Sequence, residues 1–385
     1  MNNNDLKNLI HKQKFNFSLD QEFYINQDIF DLDIKNIFSK QWVFVGHISR
    51  IPNHGDYFLF NIGKESIIIV RDKDDSVHAH YNVCRHRGSK ICLEDEGNSK
   101  ALICPYHAWT YNLDGSLKGA RLMGKDFNKK DWHLHKCNSK IFEGLIFINL
   151  SDNPNDFEEF IAPTKKFIEF HGLSDAKIAH RQYYPTNGNW KLTLDNFHEC
   201  YHCQPSHPEY CQVHDKDYIV AYGAGSNTGP ASEKFDNILA EWNKNVEKMG
   251  HLTGEYYETE FNDYSRSAER TPLKEGMFTE TKSGKPISKL MGKFTDYDSG
   301  YTSVGTSPFN SLLMCNDFAT LFTFIPVSPL YTQVELMWLV HKDAEEGRDY
   351  NLDEMKWMWH VTTIADKRII ENNQKGVLSD KYVPG

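Results

Sequence analysis

The sequence predicts an α+β fold in which an all-β module precedes a larger domain of mixed helices and strands. Between about residues 40 and 150, short apolar runs rich in β-branched residues alternate with turn residues, which is typical of short strands. The later part of the chain carries both strand and helix periodicity. At 385 residues the chain exceeds the usual size of a single domain, so one larger and one smaller domain are expected.

Three segments of the first module are predicted to be strands. ESIIIVRD (65–72) is an apolar β-branched run, VHAHYNV (77–83) alternates with period two, and GLIFINL (144–150) is a continuous apolar run. The polar stretch SDNPNDFEEF (151–160) follows and contains the Asn and Pro residues that favour turns. We therefore expect the domain boundary in this stretch.

The second part is predicted to contain a helix, a region of long loops, two strands and a final helix. KLTLDNFHECYHC (191–203) has a helical pattern that should continue until Pro205, because proline lacks an N–H group and disfavours helix in the residue before it. Residues 223–304 are rich in Gly, Ser, Lys and Asn, which is typical of long loops that cover a site. The later predictions are strands at TLFTFIP (320–326) and TQVELMWLVH (332–341) and a helix at 353–373 that stops near Gly376.

Charge and composition exclude several classes of partner. The formal net charge is −10 without a block of like charge, which argues against nucleic acid or an anionic membrane as the main partner. The N-terminus lacks an apolar signal segment and no apolar run approaches membrane-spanning length, so a cytoplasmic protein is expected. Eight cysteines in such a chain are expected to be thiols or metal ligands rather than disulfides.

Two Cys-His pairs in the first module have the spacing of a metal centre. Cys84-x-His86 is followed after 17 residues by Cys104-x2-His107. Two thiolates for one iron and two imidazoles for the other are what a Rieske [2Fe-2S] cluster requires. A Cys2His2 zinc site would use the same four residues, but it usually combines C-x2-C with two histidines on a helix. The mixed pairs favour the Rieske cluster.

A second metal motif lies in DNFHECYHCQPSHP (195–208), and it can be assigned in two ways. Residues 198–202 match H-E-x-x-H, which on a helix binds zinc with the glutamate as general base. Glu199-x2-His202-x4-His207 instead offers two histidines and a carboxylate for non-heme iron. Proline occupies positions 205 and 208, where the long zinc-protease motif has Gly and His. A one-electron cluster also has no use in a hydrolase, so iron is favoured.

These motifs resemble those of a known family. C-R-H-R-G at 84–88, followed by C-P-Y-H-x-W-x-Y-x-x-D-G at 104–115, resembles the N-terminal module of Rieske non-heme iron oxygenase α-subunits, and the resemblance runs from QEFYINQDIFDLDIKNIFSKQWVFVGH to DKRIIENNQKG. It implies a [2Fe-2S] cluster, mononuclear Fe(II) and an all-β Rieske module followed by a helix-grip (START-like) catalytic domain with an antiparallel sheet. It also implies three parts: an N-terminal segment packing on the catalytic domain, the Rieske domain and the catalytic domain, at residues 1–40, 41–155 and 156–385.

The resemblance assigns ligands residue by residue. Cys84, His86, Cys104 and His107 match the cluster ligands, and His202 and His207 match two iron ligands. The family's iron motif appears here as Asn189-Trp190-Lys191, Asp195-Asn196, Glu199, His202 and His207-Pro208. The third iron ligand is expected at Asp366, with Glu371 and Gln374 behind it, and the fallback candidates are Asp353 and Glu371. His198 is expected to lie outside the ligand set, and Cys200 and Cys203 are not expected to bind metal.

Asp195, Asn196 and Glu199 are the residues expected to act in catalysis by resemblance. Glu199 matches a carboxylate that links an iron histidine to a cluster histidine of the neighbouring subunit, a position where many relatives carry aspartate. A simpler interpretation is a local helical contact between Glu199 and His202, three residues apart.

The resemblance implies a terminal oxygenase that acts as a homotrimer. NAD(P)H is expected to act indirectly through a separate flavin/ferredoxin-type reductase, since the chain has no G-x-G-x-x-G fingerprint. The stretch E-C-Y-H-C-x3-H-P-E-Y (199–210) is most similar to the branch that acts on quaternary ammonium compounds such as glycine betaine. N-demethylation with release of formaldehyde is therefore expected, and an aromatic cage would bind the trimethylammonium group. The alternatives are mono- or dioxygenation of an aromatic acid or ring and, more distantly, a zinc hydrolase.

Overall fold

The computed structural model describes residues 3–223, 229–258 and 266–385. It divides into two compact units, the first formed by residues 38–157 and the second by residues 1–37 together with 158–385. Across the described ranges, none of the helices combines the length and apolar character needed to cross a bilayer.

The first unit is an all-β module built on an antiparallel sheet of seven strands in the order β1-β10-β9-β4-β3-β2-β5. These strands are β1 (Val43–His47), β2 (Asp56–Ile62), β3 (Glu65–Arg71), β4 (Val77–Tyr81), β5 (Glu96–Asn98), β9 (Lys136–Phe142) and β10 (Leu145–Asn149). A second sheet contains β6 (Leu102–Ile103), β7 (Thr110–Tyr111) and β8 (Leu117–Gly119). The three strands predicted in this region are confirmed as β3, β4 and β10. Strand β3 is buried almost throughout because its apolar residues face protein on both sides.

The second unit contains an antiparallel sheet of seven strands in the order β11-β17-β16-β15-β14-β13-β12. The strands are β11 (Ala176–Thr186), β12 (Gly254–Tyr257), β13 (Ser267–Pro272), β14 (Gly300–Gly305), β15 (Asn310–Met314), β16 (Phe318–Ser328) and β17 (Tyr331–His341). Both strands predicted from the C-terminal part are confirmed as β16 and β17. Their apolar residues form the centre of the sheet and are buried along nearly the whole length of each strand.

Helices flank this sheet and connect its strands. They are α1 (Asn3–Lys12), α2 (Glu22–Ile25), α3 (Gln27–Asn36), α4 (Phe157–Ile161), α5 (Lys165–His171), α6 (Trp190–His198), α7 (Cys203–Ser206), α8 (Pro208–Val213), α9 (Lys216–Tyr218), α10 (Pro230–Lys248) and α11 (Leu352–Val377). The predicted final helix is confirmed as α11, which packs against β11, α6 and α8. It ends at Val377, one residue after Gly376, in agreement with the predicted end.

The segment before residue 38 is attached to the second unit through the start of α6. Tyr24 packs into an apolar cluster with Leu192, Ile370 and Val377. Asn189 donates its side-chain N–H groups to the carbonyl oxygens of Tyr24 and Pro329, at 2.9 and 2.8 Å. Asn189 therefore joins the N-terminal segment, the β16–β17 turn and the first turn of α6.

Two predictions for the second part are wrong in detail. The loop prediction for residues 223–304 fails where the chain forms α10 and strands β12 to β14, while residues 224–228 and 259–265 lie outside the described residues. Average composition concealed α10, whose buried residues Phe235 and Val246 lie on one apolar face. The loop prediction is confirmed for residues 273–299, which contain neither a strand nor an α-helix.

The helix predicted across residues 191–203 is also interrupted. It ends at His198, and Glu199 adopts an extended conformation with φ −125° and ψ 152°. Pro205 lies in the short helix α7 instead of ending a long one. Proline is tolerated there because N–H groups in a first helical turn have no partner within the helix.

Candidate active site

Two loops of matching geometry carry the Cys-His pairs of the first unit. In each loop the cysteine N–H donates to the carbonyl five residues later, and the cysteine carbonyl accepts from the N–H four residues later, at Gly88 and Ala108. Those two residues have positive φ angles of 73° and 57°. The repeated hydrogen-bond pattern turns each chain segment sharply, so that the cysteine and histidine of each pair come to the same end of the module.

The four side chains form one sulfur pair and one nitrogen pair. Cys84 and Cys104 are buried, whereas the Nδ1 atoms of His86 and His107 face each other at 3.1 Å. The His86 ring stacks on Trp109 with its centroid 4.9 Å away and the planes 5° apart. Among the described residues, a single group of three or more possible ligands has all its ligand atoms within 4.8 Å of one another. These four residues are not that group. Two pairs suit a two-iron cluster better than a single zinc ion.

The group that does converge consists of His202, His207 and Asp366. Asp366 Oδ1 lies 2.9 Å from His207 Nε2 and 3.3 Å from His202 Nε2. His202 follows the break after α6, His207 separates α7 from α8, and Asp366 lies on α11. Two imidazoles and one carboxylate of this kind form a facial set that leaves coordination positions open on Fe(II).

Electrostatics couple the three side chains. Burial alone would lower the pKa of His202, but hydrogen bonds to Asp366 and Glu199 outweigh it and raise that pKa. Burial would likewise raise the pKa of Asp366, yet the two histidines lower it. The carboxylate is therefore held in its charged form, which is the form that binds a metal cation.

Glu199 contacts His202 from the side opposite to Asp366. Its Oε1 lies 2.7 Å from His202 Nδ1, and its Oε2 accepts hydrogen bonds from the backbone N–H groups of Tyr201 and His202. The contact is made by a turn, because Glu199 has left the helix, so the interpretation as a helical contact is wrong. The carboxylate leaves Nε2 of His202 directed toward Asp366.

Comparison with known families agrees with this arrangement. Residues 173–385 match the family described as ring hydroxylating alpha subunit (catalytic domain), and residues 41–134 match the Rieske [2Fe-2S] domain. The chain belongs to the Rieske ring-hydroxylating oxygenase family. This oxygenase works with a Rieske [2Fe-2S] cluster and mononuclear iron.

Several relatives of the oxygenase are quaternary ammonium enzymes. The glycine betaine monooxygenase oxygenase subunit of Pseudomonas aeruginosa is 36% identical over 382 residues, covering 98% of this chain and 86% of the relative. The protein of the same description from Chromohalobacter salexigens is 33% identical, covering 98% and 83%. A solved quaternary ammonium Rieske monooxygenase, studied for carnitine oxidation, superposes with a TM-score of 0.71 at 25% identity, covering 96% of this chain and 88% of that one.

Three further candidate residues, Asn196, Asp195 and His198, lie outside the converging group. The side-chain amide of Asn196 is 3.2 Å from His202 Nε2. Asp195 keeps exposed surface, while loss of solvent around its carboxylate raises its pKa to about 6, against the opposing charge of Lys191. His198, at the end of α6, is outside the group. Because α6 ends at His198, the residues of the H-E-x-x-H motif do not lie on one helix, and the family match contradicts the zinc hydrolase hypothesis.

The fallback ligands on α11 have other partners. Asp353 is exposed and lies 3.4 Å from Lys356. Glu371 pairs with Lys367 and accepts a hydrogen bond from the backbone of Asn187. Gln374, expected behind Asp366, accepts a hydrogen bond from the Asn189 backbone at 2.8 Å.

A small cavity adjoins Asp366 and Asn196. Three aromatic rings form one part of its wall, with the Phe197 centroid 5.2 Å from that of Phe322 and 4.8 Å from that of Phe324. The remaining lining residues are Thr186, Thr193, Val334, Thr363, Lys367 and Ile370. A wider surface groove between β11 and α11 contains none of the three converging residues. Sequence reasoning did not select these phenylalanines, because alternation along β16 shows only that residues two apart share a face.

The cysteines that flank His202 form a disulfide, Cys200–Cys203, with their Cα atoms 4.8 Å apart. The expectation that the cysteines of this chain are thiols or metal ligands is wrong for this pair. The break after α6 places both residues in one turn, which brings their sulfur atoms together. Neither belongs to the converging group of possible ligands.

Proposed function

We propose that this oxygenase is the terminal component of a Rieske system that removes an N-methyl group from a quaternary ammonium compound such as glycine betaine. The similarity over 98% of the chain to glycine betaine monooxygenase oxygenase subunits is the observation that carries the proposal. Phe197, Phe322 and Phe324 beside Asp366 support it, since aromatic ring faces attract a diffuse cationic charge.

Within this proposal, each predicted ligand has a defined place. Cys84, Cys104, His86 and His107 would hold the Rieske cluster, and His202, His207 and Asp366 would hold Fe(II). When bound, the cluster supplies single electrons and the Fe(II) activates O2. Asn196, beside the Nε2 atom of His202, would line the open side of the metal site.

Glu199 and Asp195 would act around His202. Glu199 fixes the ring so that Nδ1 carries the proton and Nε2 is free for the metal. Its side chain keeps 46% of its surface exposed, which leaves the carboxylate accessible to a histidine of a neighbouring subunit. We propose that Glu199 bridges two subunits of a homotrimer in this way, with Asp195 adding negative charge beside it.

The reaction would consume O2, two electrons and two protons for each N-methyl group. One oxygen atom enters a C–H bond of the methyl group and the other leaves as water. The hydroxymethyl product then breaks its C–N bond, giving formaldehyde and the demethylated amine. The electrons would come from NAD(P)H through a separate flavin/ferredoxin-type reductase, and we propose a cytoplasmic location, where NAD(P)H is available.

Oxygenation of an aromatic acid or ring is the alternative, and the same cavity supports it. Its three phenylalanines and Ile370 would also pack against a neutral aromatic ring. A cationic substrate should gain more from ring faces than a neutral one of similar size, so the two hypotheses differ in substrate charge.

A single turnover tests the proposal. The iron-loaded, chemically reduced protein is mixed with O2 and, in separate reactions, glycine betaine, carnitine, choline and aromatic acids, and formaldehyde is measured. We expect formaldehyde with one quaternary amine, and none with the variants Asp366→Ala and His202→Ala because their iron set is incomplete. Asp353→Ala is the matched control, since it changes an exposed aspartate on the same helix. Hydroxylated aromatic product without formaldehyde from any amine would contradict the demethylase proposal.

A further inference from the structure

The buried Nδ1 atom of His207 lacks a hydrogen-bond partner of good geometry among the described residues. The ring is 1% exposed, so water cannot easily satisfy this nitrogen. Its Nε2 is directed at Asp366, 2.9 Å away. A buried polar nitrogen without a partner is costly, so an acceptor is expected close to Nδ1.

Glu209 is the acceptor in position. Its Oε1 lies 3.4 Å from His207 Nδ1, so a shift of a few tenths of an ångström would make a normal hydrogen bond. Glu209 is itself 6% exposed and lies in the first turn of α8. The hydroxyl of Thr362, on α11, donates to the same Oε1 at 3.0 Å and restrains the carboxylate.

In the part of the chain that the structure describes, no lysine or arginine forms an ion pair with Glu209. Among the ion pairs of the described residues, His207 is its partner. A carboxylate this deeply buried requires hydrogen bonds or a counter-charge, and an imidazole bound to a divalent cation can donate to it and supply positive charge. The two iron histidines then share one arrangement, with Nε2 toward Asp366 and Nδ1 toward a glutamate, which is Glu199 for His202 and Glu209 for His207.

We propose that Glu209 is a positioning residue for the iron site. It accepts the Nδ1–H of His207, fixes the tautomer that presents Nε2 to Fe(II), and is itself restrained by Thr362. The inference rests on the proposed function only in requiring that His202, His207 and Asp366 bind Fe(II). It does not depend on the identity of the substrate.

The test measures Fe(II) affinity by competition with a chelator, in full-length protein whose Rieske cluster is intact. Glu209→Ala should weaken Fe(II) binding about 10- to 100-fold, the usual effect of losing a partner of a metal-bound histidine. Glu209→Gln keeps an acceptor without the charge, so its loss should be smaller. Thr362→Val should fall between wild type and Glu209→Ala, because it releases the carboxylate without removing it.

A spectroscopic readout separates positioning from a general loss of stability. The electron paramagnetic resonance spectrum of the ferrous site after addition of nitric oxide should change in Glu209→Gln, while the spectrum of the reduced Rieske cluster stays the same. Glu280→Gln is the matched control, because Glu280 is also buried against a histidine, His214, at 3.0 Å but neither residue belongs to the metal group. This control should keep wild-type Fe(II) affinity.

Fe(II) affinity within twofold of wild type in Glu209→Gln and Thr362→Val, with an unchanged nitric oxide spectrum, would overturn the proposal even if Glu209→Ala fails to fold. An equal loss of affinity in Glu280→Gln would overturn it as well. Failure of wild-type protein to convert any quaternary amine, with normal Fe(II) binding, would instead contradict the proposed function alone.

Discussion

At the residue scale, spacing in the sequence identified the candidate metal ligands but not the side chains that support them. Cys84, His86, Cys104 and His107 form two closely spaced Cys-His pairs, and the structure brings the Nδ1 atoms of the two histidines to 3.1 Å from each other. Glu209 lies two residues after His207 in the sequence, but this position does not show that its carboxylate points toward the His207 ring. That direction depends on α11, whose Thr362 comes from 153 residues further along the chain.

Phe197 is the ring through which the substrate prediction can be tested. Phe197→Leu keeps the apolar character of the cavity wall but removes the ring face. We expect KM for the quaternary amine to rise about 2- to 30-fold, the range of a cation–π contact, with little change for a neutral aromatic compound. Steady-state formaldehyde release measures it, and Phe278→Leu, at an exposed position outside the cavity, is the control. Equal KM values for the two variants would contradict a cation-binding role.

At the element scale, the break after α6 is the feature that sequence reasoning missed. Periodicity continues from residue 191 to 203, and it favoured one helix up to Pro205. The chain instead leaves the helix at Glu199, because an extended residue there lets its carboxylate reach His202. Tertiary contacts with Asp366 thus override a local helical pattern. The strands β16 and β17 were predictable because they are long, apolar and bounded by turn residues.

Asn189 should be the most sensitive residue at the start of α6. Its side chain accepts a hydrogen bond from the N–H of Lys191 as the N-cap and donates to two buried carbonyl groups. Asn189→Ala loses the cap, worth about 1 kcal/mol, and leaves both carbonyl oxygens unpaired. We expect the free energy of unfolding to fall by about 2–5 kcal/mol, measured by urea denaturation. Asn187→Ala, near the same turn but exposed, should cost less than about 1 kcal/mol.

At the scale of the whole molecule, each compact unit contains a buried neutral histidine. Burial lowers the pKa of His80 in the first unit to about 4, and burial together with the charge of Arg270 lowers the pKa of His171 in the second unit to about 3. The Nε2 atom of His80 lies 2.9 Å from the carbonyl of Leu113, and that of His171 lies 2.9 Å from the Thr302 hydroxyl. Both units therefore hold an imidazole that resists protonation.

The stability of the protein should fall as pH decreases below about 6.5. The unfolded chain binds a proton at each histidine near its ordinary pKa of 6.5, whereas the folded chain does not until about pH 3 to 4. The stabilisation is complete above pH 6.5 and is lost at about 1.4 kcal/mol per pH unit for each histidine. Denaturant titrations at pH 7 and pH 5 measure the loss. His171→Gln should show a smaller loss than wild type, and identical curves at the two pH values would contradict the prediction.

The division into an all-β module and a mixed domain followed from the sequence because the two regions differ in hydrophobic period. The resemblance implied that the N-terminal segment packs on the catalytic domain, but the individual pairs, such as Asp33 with Lys191 and Trp190, were not predictable because they lie far apart in the chain. Local hydrophobic patterns determine which helices and strands form, whereas polar pairs between distant residues determine how those elements pack against one another.

Helix α11 has one consequence for how enzymes of this kind can diverge. Thr362, Asp366, Ile370 and Gln374 lie on one face of the helix. In turn they contact Glu209, the pair His202 and His207, the apolar cluster around Tyr24 and the backbone of Asn189. The stretch from Thr362 to Gln374 rises through 12 residue steps, or about 18 Å at 1.5 Å per residue. One residue inserted within this stretch would rotate the helix beyond it by about 100° and move Asp366 out of line with those of the other three residues that lie across the insertion. New substrates are therefore best accommodated by exchanging side chains on β16 and α6, with the length of this helix held constant.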